Sequence, residues 1–108
     1  MANIYKIGTF KKTISVLNTA EQLNTATTGV GGRFAKNVIL YAPSGNSATV
    51  YVGDSTVSAT AGFPLLAGSS LNLGDLMRNG NSHEYDLSLI YVYGAAGNVV
   101  NCVREVEV

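Results

Sequence analysis

The chain has 108 residues, no net charge at pH 7 and a charged fraction of only 13%. This length suits one domain with its own core and is too short for two. Soluble domains carry roughly 25% charged residues, so the low fraction favours a surface that other chains cover, although a polar uncharged surface would also keep a monomer in solution.

Composition also limits the partners. The basic residues are scattered, with Lys11-Lys12 as the one adjacent pair, which argues against nucleic acid as a partner. No apolar run approaches the ~20 residues that span a bilayer, so no membrane partner is expected. The one cysteine, Cys102, excludes an internal disulfide and suits a reducing cytoplasm.

The N-terminal part of the chain has mixed signals. Residues 4–10 have the composition of another strand or of an extended arm. Because they have no obvious partner strand, residues 1–12 are a possible N-terminal arm that pairs with a neighbour. Residues 14–17 are predicted as the first strand of the domain. Around residues 20–23 the sequence allows either one turn of helix, capped by Thr19, or a loop.

The middle of the chain carries the strongest strand signals. Residues 33–42 are a predicted strand whose centre, residues 38–41, is apolar on both faces and is therefore expected in the middle of a sandwich. A proline-led turn at residues 43–46 separates it from the next strand, residues 49–53.

The C-terminal half continues the pattern. Pro64 interrupts the chain because it lacks a donor for strand pairing, and residues 71–73 form a short strand. Residues 85–93 are predicted as one strand, and residues 99–108 are predicted to return beside it as a hairpin after a turn at residues 94–98. One face of the 85–93 strand would hold Leu87, Leu89, Tyr91 and Tyr93.

Six to eight strands, spaced roughly 8–12 residues apart, predict an all-β fold. The expected architecture is a single antiparallel β-sandwich or small barrel, jelly-roll-like, over residues 13–108, with residues 1–12 as the possible arm. The predicted core positions are Val38, Leu40, Val50, Val52, Leu71, Leu89, Val99 and Val103.

Residues with catalytic or metal-binding chemistry are few. His83 is flanked by Glu84 and Asp86, but alternation along a strand would place both carboxylates on the face opposite the imidazole. Cys102 lies in an apolar run and is interpreted as a small buried hydrophobe. We therefore expect no catalytic residue, no metal site and no cofactor, and we expect that the chain is not an enzyme.

Other polar motifs have structural interpretations. Asp54 follows Gly53, where an aspartate side chain commonly closes a turn on its own backbone. The spacing of Asp54, Asp75 and Asp86 matches no calcium loop. The glycines of residues 29–32 lack the lysine and the strand–turn–helix context of a phosphate loop, so a turn is expected there.

The six tyrosines leave two interpretations open. Tyr85, Tyr91 and Tyr93 fall on one face of the predicted 85–93 strand. An exposed tyrosine stripe binds sugars or builds an interface, whereas strands also favour tyrosine at the rim of a core. A carbohydrate-binding module built on Tyr91 and Tyr93 is therefore kept as an alternative, although the chain contains no tryptophan.

The most specific pattern spans residues 50–73. Residues 50–57 (VYVGDSTV) match a V-x-V-G-x-S-x-V strand and turn, and residues 62–73 (GFPLLAGSSLNL) match a G-F-P-L-x-x-G-x-S-x-x-L element. This segment resembles one that recurs in small all-β structural proteins of tailed-bacteriophage virions, of the capsid decoration or tail and fibre-base type. The resemblance implies that the matching glycines and the proline, namely Gly53, Gly62, Pro64 and Gly68, shape the fold.

The resemblance and the low charge together predict a structural protein of a bacteriophage virion. The expected role is that of a capsid decoration or cement protein that stabilises the head by bridging neighbouring subunits. A tail or fibre-base component remains an alternative. The expected partners are copies of the chain itself, with a trimer as the first guess from the resemblance, and the major capsid protein or other virion proteins. The expected location is the virion, after synthesis in the cytoplasm of the bacterial host.

Overall fold

A computed structural model of the chain describes residues 5–24, 34–35, 37–73 and 85–107. Within these ranges the chain forms ten β-strands and a 3₁₀ turn at Leu87–Leu89. The strands are β1 (Tyr5–Thr13), β2 (Glu21–Gln22), β3 (Phe34–Ala35), β4 (Val38–Tyr41), β5 (Val50–Gly53), β6 (Phe63–Leu65), β7 (Ser70–Asn72), β8 (Tyr85–Asp86), β9 (Tyr91–Tyr93) and β10 (Val99–Glu107).

The strands pair as one long hairpin that is rolled on itself. From the inside outwards, β5 pairs with β6, β4 with β7, β3 with β8, β2 with β9 and β1 with β10, and every pair is antiparallel. Two further pairings, β10 with β4 and β9 with β5, close the roll into sheets. Sheet A has the order β1-β10-β4-β7, sheet B has the order β2-β9-β5-β6, and β3 and β8 form a separate two-stranded sheet.

This nested arrangement confirms the predicted all-β class and selects between its two forms. The two four-stranded sheets are separate, as in a sandwich, rather than one closed sheet. Four of the five nested pairs are divided between these two sheets of four strands, which is the architecture of a jelly roll, a fold that also occurs in viral capsid, lectin and cupin domains.

The core lies between the two sheets. β5 alternates as predicted and β4 alternates as well, so that the predicted core residues Val38, Leu40, Val50 and Val52 are all buried. Full burial of one such side chain contributes about 1.5–3 kcal/mol. The other buried members are Ile14, Leu23, Ala42, Leu65, Leu73, Leu87, Val92, Val100 and Cys102, and Phe10, Leu71 and Ile90 pack against them.

Two asparagines hold the chain where it crosses between the sheets. Asn46 Nδ2 donates to Val99 O at 2.8 Å and its Oδ1 accepts from Val99 N at 2.9 Å, so a side-chain amide takes the place of a strand partner. Asn98 is buried, and its Oδ1 accepts from both the N and the Oγ of Ser47. These bonds fix the loop between β4 and β5 against the start of β10.

The N-terminal expectations need correction. Residues 5–13 form β1, which pairs with β10 from Tyr5↔Glu107 to Thr13↔Val99, so this part of the segment has a partner strand within the domain. Residues 14–17, predicted as the first strand, are a loop in which Ile14 is buried but Val16 and Leu17 are exposed. Residues 1–4 lie outside the described ranges.

The two alternatives around residues 20–23 are both wrong, because Glu21–Gln22 is the short strand β2 beside β9. The strand predicted over residues 85–93 is also divided. A 3₁₀ turn at Leu87–Leu89 interrupts the alternation of inward and outward side chains, so that Leu87 is buried and Leu89 is 68% exposed. Leu89 is therefore not a core residue.

The last strand has a different partner and a different register from those predicted. β10 lies in sheet A and β9 in sheet B, so the predicted hairpin between them does not form. The inward positions of β10 are Val100, Cys102 and Arg104. Val99 is only half-buried and Val103 is exposed, because both point away from the core.

Candidate interaction surface

The outer face of sheet A carries several exposed apolar side chains with a common orientation. Alternation along the four strands turns one set of side chains toward the core and the other outward. We call the outward set the outer face. Its members are Ile7, Thr9 and Lys11 of β1, Asn101, Val103 and Glu105 of β10, Ile39 and Tyr41 of β4, and Ser70 and Asn72 of β7.

Strand register arranges these side chains in three rows across the sheet. The middle row is Thr9–Val103–Ile39–Asn72. On one side of it lies the first row, Ile7–Glu105, which reaches Asn37 through the bond from Glu105 N to Asn37 O. On the other side lies the third row, Lys11–Asn101–Tyr41–Ser70.

The apolar part of the outer face is well exposed. Ile7 is 75% exposed, Tyr41 40%, Ile39 39% and Val103 38%. Large apolar side chains that adjoin on a surface, with amides around them, are typical of sites where another chain binds. The sequence interpretation that residues 38–41 are buried on both faces is therefore wrong for Ile39 and Tyr41.

A groove lies between the first and middle rows. Its volume is about 420 Å³. It is lined by apolar, amide and charged residues, namely Ile7, Asn37, Ile39, Asn72, Val103, Arg104 and Glu105.

The charges of the outer face lie at opposite ends. Glu105 belongs to the first row and Lys11 to the third. Four residues of strand separate the two rows, which is about 13 Å and too far for direct contact within one molecule. One end of the face is therefore acidic and the other basic, with apolar side chains between them.

The sequence of β10 contains a signal for this face that the core prediction did not use. In β10 the apolar residues Val99, Val100, Cys102 and Val103 occur on both faces, so alternation alone did not select the inward set. The polar residues Asn101 and Glu105 share a face with Val103, and that pairing would have placed Val103 outside.

The tyrosines form a second cluster, on the outside of sheet B. Tyr91 and Tyr93 share one face of β9, as predicted, and Val92 points inward. Tyr51 of β5 pairs with Tyr93, with ring centroids 6.4 Å apart and an interplanar angle of 68°. All three tyrosines are half-buried. In an edge-to-face pair one ring face is used by its neighbour, so Tyr51 and Tyr93 do not form the flat double platform that favours sugar stacking.

Several residues of the 50–73 segment shape the loop from β5 to β7. Asp54 Oδ1 accepts from Thr56 N at 2.8 Å and from Thr56 Oγ1, which confirms the predicted turn and lowers the pKa of Asp54. Gly62 lies so close to Val57 that an added Cβ would be 2.5 Å from Val57 Cγ2.

The other matched positions have equally local roles. Gly68 has a φ of +84°, which side chains with a Cβ rarely adopt. Pro64 lies in β6, the edge strand of sheet B. An edge strand tolerates proline because it has no partner strand on its solvent side that would need an N–H donor. The chain is therefore not broken at Pro64 but continues as a strand.

The candidate chemical residues are separated. Cys102 is fully buried in β10, and burial raises the pKa of its thiol to about 12, partly offset by the charge of Arg104. Arg104 is itself buried, with its guanidinium carbon 4.7 Å from the centre of the Phe10 ring. Within the described ranges, His, Cys, Asp and Glu residues form no group of three suited to a metal ion.

Several sequence candidates cannot be placed. His83, Glu84 and Asp75 lie outside the described residues, as do the glycines of residues 29–32, and for Asp86 and Tyr85 only the backbone is described. The predictions made for these side chains therefore stay predictions.

Comparisons with protein-family models, with curated proteins and with solved structures found no match to this chain. Among the described residues, no helix is long and apolar enough to cross a membrane.

Proposed function

We propose that this chain is a structural protein of a bacteriophage virion, and specifically a capsid decoration or cement protein that bridges neighbouring subunits of the head. It works by burying apolar surface between subunits rather than by catalysing a reaction. It is made in the host cytoplasm and functions on the particle as one of many copies.

The observation that carries the proposal is the apolar outer face of sheet A. Ile7, Ile39, Tyr41 and Val103 are too exposed to stabilise the isolated fold fully, and burial against a neighbour would recover about 25 cal/mol for each Å² of apolar area removed from water. A cement protein needs such a face, because its only function is to add contact area at joints of the shell.

Two further features support this function. Charged residues make up 13% of the chain, which leaves little charge to keep a large free surface separate from other chains. The jelly-roll order is one that viral capsid domains use, although a fold shared with lectins and cupins supports a function only by analogy. The resemblance of residues 50–73 to phage virion proteins favours a virion function over the functions of lectins and cupins.

The test uses particles of the phage that encodes the chain, assembled with and without it. We expect purified protein to bind the depleted particles and to raise the temperature at which they release DNA, as measured by the fluorescence of a DNA-binding dye. Ile39→Asp on the outer face should weaken this effect, whereas Leu89→Asp, at an exposed leucine away from that face, should not.

Imaging of labelled protein on the particle separates head from tail. Label at the tail or fibre base would replace the cement function with that alternative. Failure to bind particles, together with binding to a glycan array that Tyr91→Ala abolishes, would replace it with carbohydrate binding.

A further inference from the structure

We propose that the outer face of sheet A binds the same face of a second copy of this chain, about a two-fold axis that runs across the strands along the middle row. The neighbour that covers this surface is then another copy of the chain, and the proposal rests on the assembly function proposed above. It places a face-to-face pair where the resemblance alone suggests a trimer.

The first argument is the position of the groove relative to Tyr41. The groove lies on the first-row side of the middle row, around Asn37 and Ile39, and Tyr41 lies on the third-row side of the same strand. A two-fold axis along the middle row exchanges these two sides. Tyr41 of each copy then lies over the groove of the other, and the contact forms twice, as the symmetry of a dimer requires.

The second argument is the charge distribution. The same axis brings the first row of one copy over the third row of the other, so that Glu105 faces Asn101 and lies beside Lys11 of the second copy. Both charges thus find an opposite charge across the interface, and Ile7 covers the aliphatic stem of Lys11. A two-fold axis along the strands of β10 would instead place Glu105 opposite Glu105. Charge therefore selects the axis across the strands.

The small size of the face predicts a weak interaction between the two copies. Four strands at about 4.8 Å spacing and three rows at about 6.7 Å cover roughly 19 Å by 20 Å. The resulting area of about 400 Å² is smaller than the ~800 Å² that each partner contributes to a standard interface, so the dimer should be weak and concentration-dependent. Many copies held close together on a particle would occupy it nevertheless.

Sedimentation equilibrium of the purified full chain tests the dimer directly, from about 10 μM to about 1 mM. We expect a monomer–dimer equilibrium within this range. Tyr41→Ala and Ile39→Asp should each raise the dissociation constant at least about tenfold. The controls, Tyr91→Ala and Leu89→Asp, change a tyrosine and an exposed aliphatic residue away from the outer face and should leave the dissociation constant unchanged.

A charge exchange tests the orientation. Lys11→Glu and Glu105→Lys should each raise the dissociation constant about fivefold, because each removes two symmetry-related attractions and adds repulsion. The double variant should restore it, because the exchanged charges attract again. Since these two residues are too far apart to interact within one copy, such rescue can only be intermolecular.

A monomer at about 1 mM, a trimer, or a dimer that is insensitive to the Tyr41 and Ile39 variants would overturn the proposal. So would a charge exchange without rescue. Circular dichroism melts of each variant check that the fold is retained. Particle binding is measured separately. A monomer that still binds particles refutes the face-to-face pair and leaves the virion function standing. A dimer that binds no particles supports the pair and refutes the virion function.

Discussion

Lys12 and Glu21 join the two sheets at the edge of the sandwich where β1 and β2 lie. Lys12 Nζ is 2.9 Å from Glu21 Oε1, and both side chains are largely buried. The same carboxylate accepts hydrogen bonds from Ser15 N at 3.0 Å, Ser15 Oγ at 2.9 Å and Val16 N at 2.8 Å. One ionised group thus holds both the inter-sheet edge and the loop that connects the sheets.

This arrangement predicts a pH-dependent contribution to stability. Burial alone would raise the pKa of Glu21, but the hydrogen bonds from Lys12, Val16 and Ser15 and the charge of Lys12 outweigh burial and lower the pKa from 4.5 to about 2. Because the folded pKa lies below the unfolded one, the stabilisation is complete above the unfolded pKa and is lost as the pH falls toward 2. Glu21→Gln should therefore lower the free energy of unfolding by roughly 2–3 kcal/mol at neutral pH and by little near pH 2.

Urea denaturation of both proteins at neutral pH and near pH 2 measures this difference. Glu105→Gln is the control, since that carboxylate lies on the outer face rather than between the sheets. An equal loss of stability at both pH values would mean that Glu21 contributes by packing and not by its charge.

Glu21 also illustrates what the sequence could not reveal. Its pairing with Lys12 depends on β1 and β2 being edge strands of different sheets, and this follows from the nested order of pairs rather than from any local pattern. Period-2 alternation did locate Val50 and Val52 correctly, because β5 has its two valines on one face, Tyr51 on the other, and turns on each side.

A second prediction concerns the close approach of Gly62 to Val57. An added Cβ at Gly62 would be 2.5 Å from Val57 Cγ2 and 3.2 Å from the carbonyl oxygen of Val52. Gly62→Ala should therefore displace the loop between β5 and β6 and destabilise the domain by about 1–3 kcal/mol. Thermal or urea unfolding measures the loss.

Gly45→Ala is the matched control, because a Cβ there meets no atom within 4 Å and should cost little. Combining Gly62→Ala with Val57→Ala removes the main clash. If the double variant is no more stable than expected from the sum of the two single changes, the steric explanation is wrong.

A third prediction tests the core register of β5. Val52 is buried between the sheets, and an aspartate there would be a buried carboxylate with no cationic partner in its register. Val52→Asp should cost several kcal/mol, a large part of a typical stability of ~5–15 kcal/mol, and unfold much of the protein at 37 °C or below. Ile39→Asp makes the same chemical change at an exposed strand position and should retain a cooperative unfolding transition. An unchanged melting temperature for Val52→Asp would place that side chain at the surface.

The errors of the sequence interpretation have a common physical origin. In β4 and β10 apolar residues occupy both faces, so neither strand reveals from its own composition which face is inward. The turn at Leu87–Leu89 changes the phase of alternation without a glycine or proline to mark it. The outer face was missed for the same reason, since Ile39 and Val103 have the composition of core residues and only the pairing of β10 with β4 shows that they lie outside.

A fourth prediction uses the thiol of Cys102 as a reporter of β10. Its side chain is fully buried, and burial raises its pKa from 9.0 to about 12, so almost none of it is the reactive thiolate at pH 8. Alkylation by iodoacetamide should be at least about 100-fold slower in the native protein than in urea, and should proceed through opening of the fold. Mass spectrometry over time measures the rate.

Glu21→Gln and Gly62→Ala should accelerate alkylation of Cys102 in proportion to their loss of stability, if opening is global and fast compared with the reaction. Ile39→Asp, which leaves the core intact, should accelerate it far less. Rapid alkylation of the native chain would show that β10 separates from β1 and β4 without unfolding of the rest, and the outer face would then not be the rigid surface that a face-to-face pair requires.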